Sequence, residues 1–295
     1  MLIRQWLYET GPAILGDRHW AAYSFEFLVF GLKQAWACLF AALLLALILG
    51  TKVWYPLDTL ARYDFLFLAA LSIQGLLLVY RLESPQEAAM ILLFHGIATG
   101  MELFKTSEAI GSWVYPGSGY FYLYNVPLFA GFMYSAVGSY MARVWKAFRF
   151  RFSHYPPLWQ TLLVSILIYT NFFTQHFIVD IRYLLFVAIV LMYSKTRIHF
   201  TVLHKERWMP LLLGFFLVAL FIWLAENIST FAMIWQYPNQ RLGWAPVSLQ
   251  KLGSWYLLMV ISFVLVSLLH RRDLYKTLEN PRKKPYISES QSFSV

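Results

Sequence analysis

The sequence predicts an all-α protein, a polytopic helical membrane bundle of about eight transmembrane helices, on three observations. Of its 295 residues, 59% are hydrophobic and only 13% charged, against roughly a quarter charged in soluble domains. Several windows of about 18 to 25 residues are nearly free of charge, the length a helix needs to cross roughly 30 Å of hydrocarbon at about 1.5 Å per residue. Lys and Arg gather in short segments between these windows, as they do in cytoplasmic loops.

In chain order the spans run from Phe27 to Leu49, Tyr63 to Tyr80, Ala88 to Phe104, Tyr120 to Ala142, Leu158 to Gln175, Ile178 to Ser194, Pro210 to Ile234 and Leu252 to Leu269. At the start of the first, Glu26 and Lys33 share one helical face and neutralise charge within the bundle. The fifth and sixth are separated only by His176 and its neighbours, so they form either a tight hairpin or a re-entrant pair. Pro127, inside the fourth, is the one strong interior breaker.

Arg143, Lys146, Arg149 and Arg151 follow the fourth span. Lys195, Arg197, Lys205 and Arg207 follow the sixth, and Arg271, Arg272, Lys276, Arg282, Lys283 and Lys284 the eighth. With eight spans all three segments fall on one side, which places both termini in the cytoplasm of a multi-pass inner-membrane protein. Residues 1–280 then form one transmembrane domain and 281–295 a mobile cytoplasmic tail. The N-terminus lacks a compact apolar core followed by a small-residue cleavage site, so no cleaved signal peptide is expected.

The net charge of +9 is spread over loops and accompanies no nucleic-acid-binding motif. The single Cys38 excludes an intrachain disulfide and a cysteine-rich metal site. The His residues lack metal-ligand spacing, so no metal is expected. No nucleotide-binding or serine-hydrolase signature is present, and no cofactor is expected.

A pattern recurs in the two halves. Glu102 is followed by Trp113-Val-Tyr115-Pro116, and Glu226 by Trp235-Gln-Tyr237-Pro238, each before another span. Four spans separate the copies, which fits two parallel four-helix repeats over 25–145 and 157–270. Interfacial anchoring by Trp and Tyr is the competing account.

The segments GMELFKTSEAIGSWVYP from Gly100, AENISTFAMIWQYPNQ from Ala225 and KLGSWYLLMVISFVLV from Lys251 resemble the YoaT-like bacterial membrane proteins, a family of unknown function. The resemblance covers nearly the whole chain and implies a bacterial inner-membrane protein, with no established activity or catalytic residue. A fainter similarity, an intramembrane carboxylate followed by Trp-x-Tyr and a Pro-containing aromatic helix, is to membrane carotenoid hydratases and small lycopene cyclases. It implies acid chemistry on an apolar polyene without a redox cofactor. The cyclases' Pro-x-Glu-Glu is absent, since Val126-Pro127-Leu128 stands in that place.

An ionised carboxylate in hydrocarbon costs about 2.5 to 3.5 kcal/mol on insertion scales, so Glu102 and Glu226 need partners or a wet cavity. They are the candidate catalytic pair, or else structural glue between helices. His95 and Thr99 share a face with Glu102 and form either a proton relay or a packed polar stripe. Trp223, Asn227 and Thr230 surround Glu226, where an aromatic face could stabilise a developing cation. Asn171, Gln175, His176, Asp180 and Arg182 crowd one hairpin, with Asp180 and Arg182 pairing with each other or with the glutamates. Trp113, Tyr115, Trp223, Asn227, Trp235, Tyr237, Asn171 and Arg182 are therefore the candidate substrate-binding residues. Lys105, Arg241 and Lys251 are available for anionic head groups. The readings left open are a lipid- or isoprenoid-modifying protein, a proton-coupled transporter, and an assembly or sensor component, with membrane lipids as the expected partners.

Overall fold

In the computed structural model, which describes residues 19–271, the apolar windows form helices that run back and forth between two ends. They are α1 (His19–Ala37), α2 (Leu39–Val53), α3 (Arg62–Val79), α4 (Pro85–Lys105), α5 (Ala130–Phe148), α6 (Leu158–Thr174), α7 (Arg182–Tyr193), α8 (Leu211–Phe231) and α9 (Leu249–Leu269). Local signals set several of these ends. Ser84 caps α4, with Glu87 closing a capping box and Pro85 in the first turn, where its missing N–H costs nothing. Arg149 ends α5 in the left-handed region at φ 51, the backbone turn that commonly terminates a helix.

Four helices, α3, α4, α8 and α9, are long and apolar enough to cross a membrane, and α1 with α2 makes a fifth if a bent pair counts as one span. The expected count of eight is therefore not reached by length and composition. The 12 residues of α7 reach about 18 Å, well short of the hydrocarbon thickness. The expected span Phe27–Leu49 is broken by a 70° bend between α1 and α2. The expected span from Tyr120 begins instead with a hairpin, β1 (Tyr122–Leu123) against β2 (Val126–Pro127). Pro127 belongs to that hairpin, and the helix starts only at Ala130.

Outward faces of the helices are rich in exposed apolar side chains, among them Leu68 and Leu71 on α3, Leu184, Val187 and Leu191 on α7, and Phe221 on α8. Such an apolar exterior suits a lipid solvent. Beneath it, α4 packs on α5 as α8 packs on α9, α2 packs on α5 as α6 packs on α9, and α2 meets α8 as α4 meets α6. The α2–α3 contact likewise matches α6–α7. This pairing sets α2 to α5 against α6 to α9 and leaves α1 outside both.

One end carries a small sheet that the sequence reading lacked: β3 (Arg151–Ser153), β4 (Arg197–Thr201) and β5 (Glu206–Pro210), all antiparallel. The basic segments after α5 and α7 are thus joined strand to strand at one end, as expected of loops on a common side. Across its polar face, Ser153 bonds His199 at 3.1 Å and His199 bonds Glu206 at 3.1 Å. The His199 imidazole is held below its usual range by burial and by the charges of Arg151 and Arg197. Glu26 pairs with Arg207 on the sheet, and Lys33 donates to the carbonyls of Ala147 and Val202. The expected tail, 281–295, and the N-terminal segment lie outside the described residues.

Candidate functional site

At the other end, the loops after α4 and α8 meet. Val114 and Gln236, the central residues of the two Trp-x-Tyr-Pro segments, pair as an antiparallel bridge, with N–H to O distances of 3.0 and 2.9 Å in the two directions. The segments therefore lie side by side and face to face across a junction.

Each returns a tyrosine to its own glutamate. Tyr115 donates to Glu102 Oε2 at 2.9 Å, and Tyr237 to Glu226 Oε1 at 2.5 Å. Glu102 also accepts from Trp113 Nε1 at 2.8 Å and Tyr134 Oη at 2.6 Å, and Glu226 from Trp255 Nε1 at 2.7 Å. Both carboxylates are buried, and every oxygen of the pair already accepts a hydrogen bond. Those bonds satisfy the cost of an acid in hydrocarbon and fix the planes of five aromatic rings. Rings from the two halves then touch: Trp113 meets Tyr237 edge-on at 6.1 Å, and Tyr134 lies 5.9 Å from Trp255.

These rings wall a cavity of about 400 Å³ that both glutamates line. Three cations share it: Lys105, Arg182 and Lys251. Arg182 is matched by Asp180 and Gln175. Burial pushes the Asp180 carboxyl up, but the bonds from Asn171 and Arg182 outweigh that and hold it below its usual range. Lys105 donates to His176 at 2.7 Å. The His176 imidazole is kept below its usual range by burial and by the Lys105 and Lys251 charges, so it stays a neutral acceptor. Lys251 differs. Its ammonium lies 4.3 Å from the Tyr237 ring centre and 5.3 Å from that of Trp113, and it makes no hydrogen bond or ion pair to the described residues.

Of the residues singled out from the sequence, Glu102, Glu226, Trp113, Tyr115, Trp235, Tyr237 and Arg182 line this cavity, with Gln175, His176 and Asp180 of the hairpin and the cations Lys105 and Lys251. Others do not. The His95 ring turns away to pack on Phe132 at 4.8 Å and to fill the space over Gly131, where an added Cβ would collide with Nδ1. Thr99 donates to the His95 carbonyl rather than to its ring, so the relay to Glu102 is not formed. Trp223 reaches the Ser248 carbonyl, and Asn227 bridges the Trp223 carbonyl and the Val247 N–H. Those two brace the loop before α9. Asn171 holds the α6–α7 turn by bonding Asp180 and the Ile181 N–H, and Arg241 is not among the lining residues.

Sequence reasoning missed Tyr134 and Trp255 as partners of the acids. A signal was present for the indoles: Gly111-Ser112-Trp113 and Gly253-Ser254-Trp255 are the same tripeptide, each giving one serine to the cavity lining and one Trp N–H to a glutamate. Among the described residues no group of three or more His, Cys, Asp or Glu could hold a metal ion.

Comparison with known proteins agrees with the motifs. The chain is 40% identical over 263 residues, 89% of its length and 97% of the relative's, to the "Uncharacterized protein YoaT" of Bacillus subtilis (strain 168). No solved structure matches. The family described as "Protein of unknown function (DUF817)" matches residues 26–263, and the chain belongs to that family.

Proposed function

We propose that this protein binds a lipid-like substrate by an anionic head group, held in the cavity between the two glutamate hairpins of a duplicated bundle. The observation that carries the reading is Lys251: a cation set over two aromatic rings, facing a cavity, its ammonium without a hydrogen-bond acceptor among the described residues. Such an ammonium lacks most of its hydration and gains most from an incoming anion. Lys105 and Arg182 add charge of the same sign at the same place. The two glutamates serve as fixed acceptors that set the aromatic walls.

Substituting Lys251→Met in the purified chain removes the charge and keeps the apolar stem. Its affinity for phosphate or an alkyl phosphate, read by titration calorimetry, is expected to fall at least tenfold, in line with about 1.5 to 3 kcal/mol for a hydrogen bond to a charged group. Unchanged affinity sinks the reading.

The junction of two halves is also where a carrier would hold its cargo, and uptake of a bound amphiphile into proteoliposomes separates transport from chemistry. The basic sheet end faces the cytoplasm of a bacterial inner membrane in this reading, with the cavity on the outer side. A Lys205→Cys variant on a Cys38→Ser background is expected to resist a membrane-impermeant maleimide in intact cells and to react after lysis. Labelling in intact cells reverses the orientation.

A further inference from the structure

The polar groups that line the cavity divide into those already spent and those still free. The indole N–H of Trp113 and the hydroxyls of Tyr115 and Tyr134 are committed to Glu102, and Tyr237 and Trp255 to Glu226. Those five side chains offer an incoming molecule their ring faces and little else. By contrast, the hydroxyls of Ser112 and Ser254 and the side-chain amide of Gln250 belong to the lining and make no hydrogen bond to the described residues. Neither hydroxyl is sealed from solvent. Each serine also sits next to a cation. The Ser112 N–H donates to the Lys105 carbonyl at 2.8 Å, folding the turn at Gly111, φ 55, back onto the end of α4. Ser254 stands three residues after Lys251 on α9, on the same face of that helix. Each half thus brings one ammonium and one free hydroxyl to the cavity.

From this division we infer that the anionic head is a polyol phosphate, a glycerol- or sugar-type group whose phosphate lies beside Lys251 and whose hydroxyls meet Ser112, Ser254 and Gln250. This inference rests on the anionic-head reading of the cavity. A serine hydroxyl and a glutamine amide both donate and accept hydrogen bonds. A phosphate dianion only accepts and a hydrocarbon does neither, so the partner that uses both capacities is another hydroxyl. The ring faces are left to take the carbon skeleton. The cavity's volume of about 400 Å³ falls within the usual span for small-ligand sites, about 300 to 1,000 Å³.

Propyl phosphate and glycerol 1-phosphate share a phosphate and a three-carbon chain and differ by two hydroxyls. Titrated into the full-length protein in a polyoxyethylene micelle, whose head carries neither charge nor sugar, glycerol 1-phosphate is expected to bind roughly tenfold more tightly or better, because a site with free hydrogen-bonding groups discriminates against an analogue that leaves them unpaired. A Ser112→Ala/Ser254→Ala double variant is expected to erase most of that difference and to leave inorganic phosphate binding intact. Neither hydroxyl bonds within the described protein, so its unfolding midpoint is expected to match the wild type; if the variant does not fold, the wild-type pair of esters decides alone. Equal binding of the two esters, with Lys251→Met still weakening both, overturns the polyol and leaves the anionic site standing. A folded double variant that keeps the full difference, or that loses inorganic phosphate with it, overturns the pairing of the serines with ligand hydroxyls. No binding of any phosphate overturns both readings. Nanodiscs of phosphatidylglycerol and of phosphatidylethanolamine then separate the sources. Displacement of glycerol 1-phosphate by phosphatidylglycerol alone assigns a lipid head group, and displacement by neither assigns a free polyol phosphate; both support the inference, whereas equal displacement by the two lipids overturns it.

Discussion

A Glu102→Leu variant is expected to lose roughly 3 kcal/mol of stability, while Glu102→Gln loses under about 1 kcal/mol. Leucine leaves the Trp113 N–H and the Tyr115 and Tyr134 hydroxyls facing an apolar group. A buried donor left unpaired costs about 1 to 3 kcal/mol. Polar contacts between membrane helices fall at the low end of such ranges, so about 1 kcal/mol for each of three donors is the appropriate sum. Glutamine can turn its carbonyl oxygen to Trp113, which can only donate, and its amide to a tyrosine hydroxyl, which can also accept. Thermal unfolding in detergent checks this, with a midpoint drop of roughly 6 °C or more for leucine and a much smaller one for glutamine. Equal drops would mean that the carboxylate's charge, rather than its acceptors, holds the site.

The larger loss is expected at the opposite end, from Arg143→Met. Glu83 and Arg143 pair at 3.3 Å with side-chain exposures of 1% and 4%, and Ser139 and Gln74 also donate to Glu83. Arg143 further donates to the Trp36 carbonyl at 3.2 Å, tying α1 to α5. Breaking a buried pair by removing one partner costs about 3 to 5 kcal/mol, because the other charge is left uncompensated. The Glu83→Gln/Arg143→Met double variant is expected to recover most of that loss, which a purely steric role for Arg143 would not allow. Unfolding midpoints of the wild type, both single variants and the double variant close the cycle.

Why some of this was legible in the sequence and some was not follows from range. Charge-free windows report the solvent a helix sees, so the ends of α3, α4, α8 and α9 agree with the expected spans to within three residues. Hydropathy says nothing about direction, so the bend at Cys38 and the hairpin at 122–127 were read as continuous spans. Short α7 was overcounted for the same reason: its apolar run extends through the unhelical Ile178 and Val179. In the sheet, β3 joins β4 across more than 40 residues of chain, where no local period marks the pairing. At the cavity, a carboxylate inside an apolar run is costly enough to be conspicuous, and both acids were picked out. Their shared wall depends on Tyr134 and Trp255 arriving from other helices, which spacing cannot reveal. His95 failed because one face of a helix spans more than one environment: at that level the face meets Gly131 and Phe132 instead of the cavity.

The Val114–Gln236 bridge has a mechanical effect on whatever this protein does. Two short backbone bonds clamp the halves together beside the aromatic walls, while Asp64, buried at the start of α3, grips the N–H groups of Tyr120 and Phe121 and steadies one of the clamped loops. The β3–β4 ladder ties the same two groups of helices at the far end. Backbone bonds therefore hold α2 to α5 against α6 to α9 at both extremes, and the width of the cavity is fixed unless one of those two seams parts.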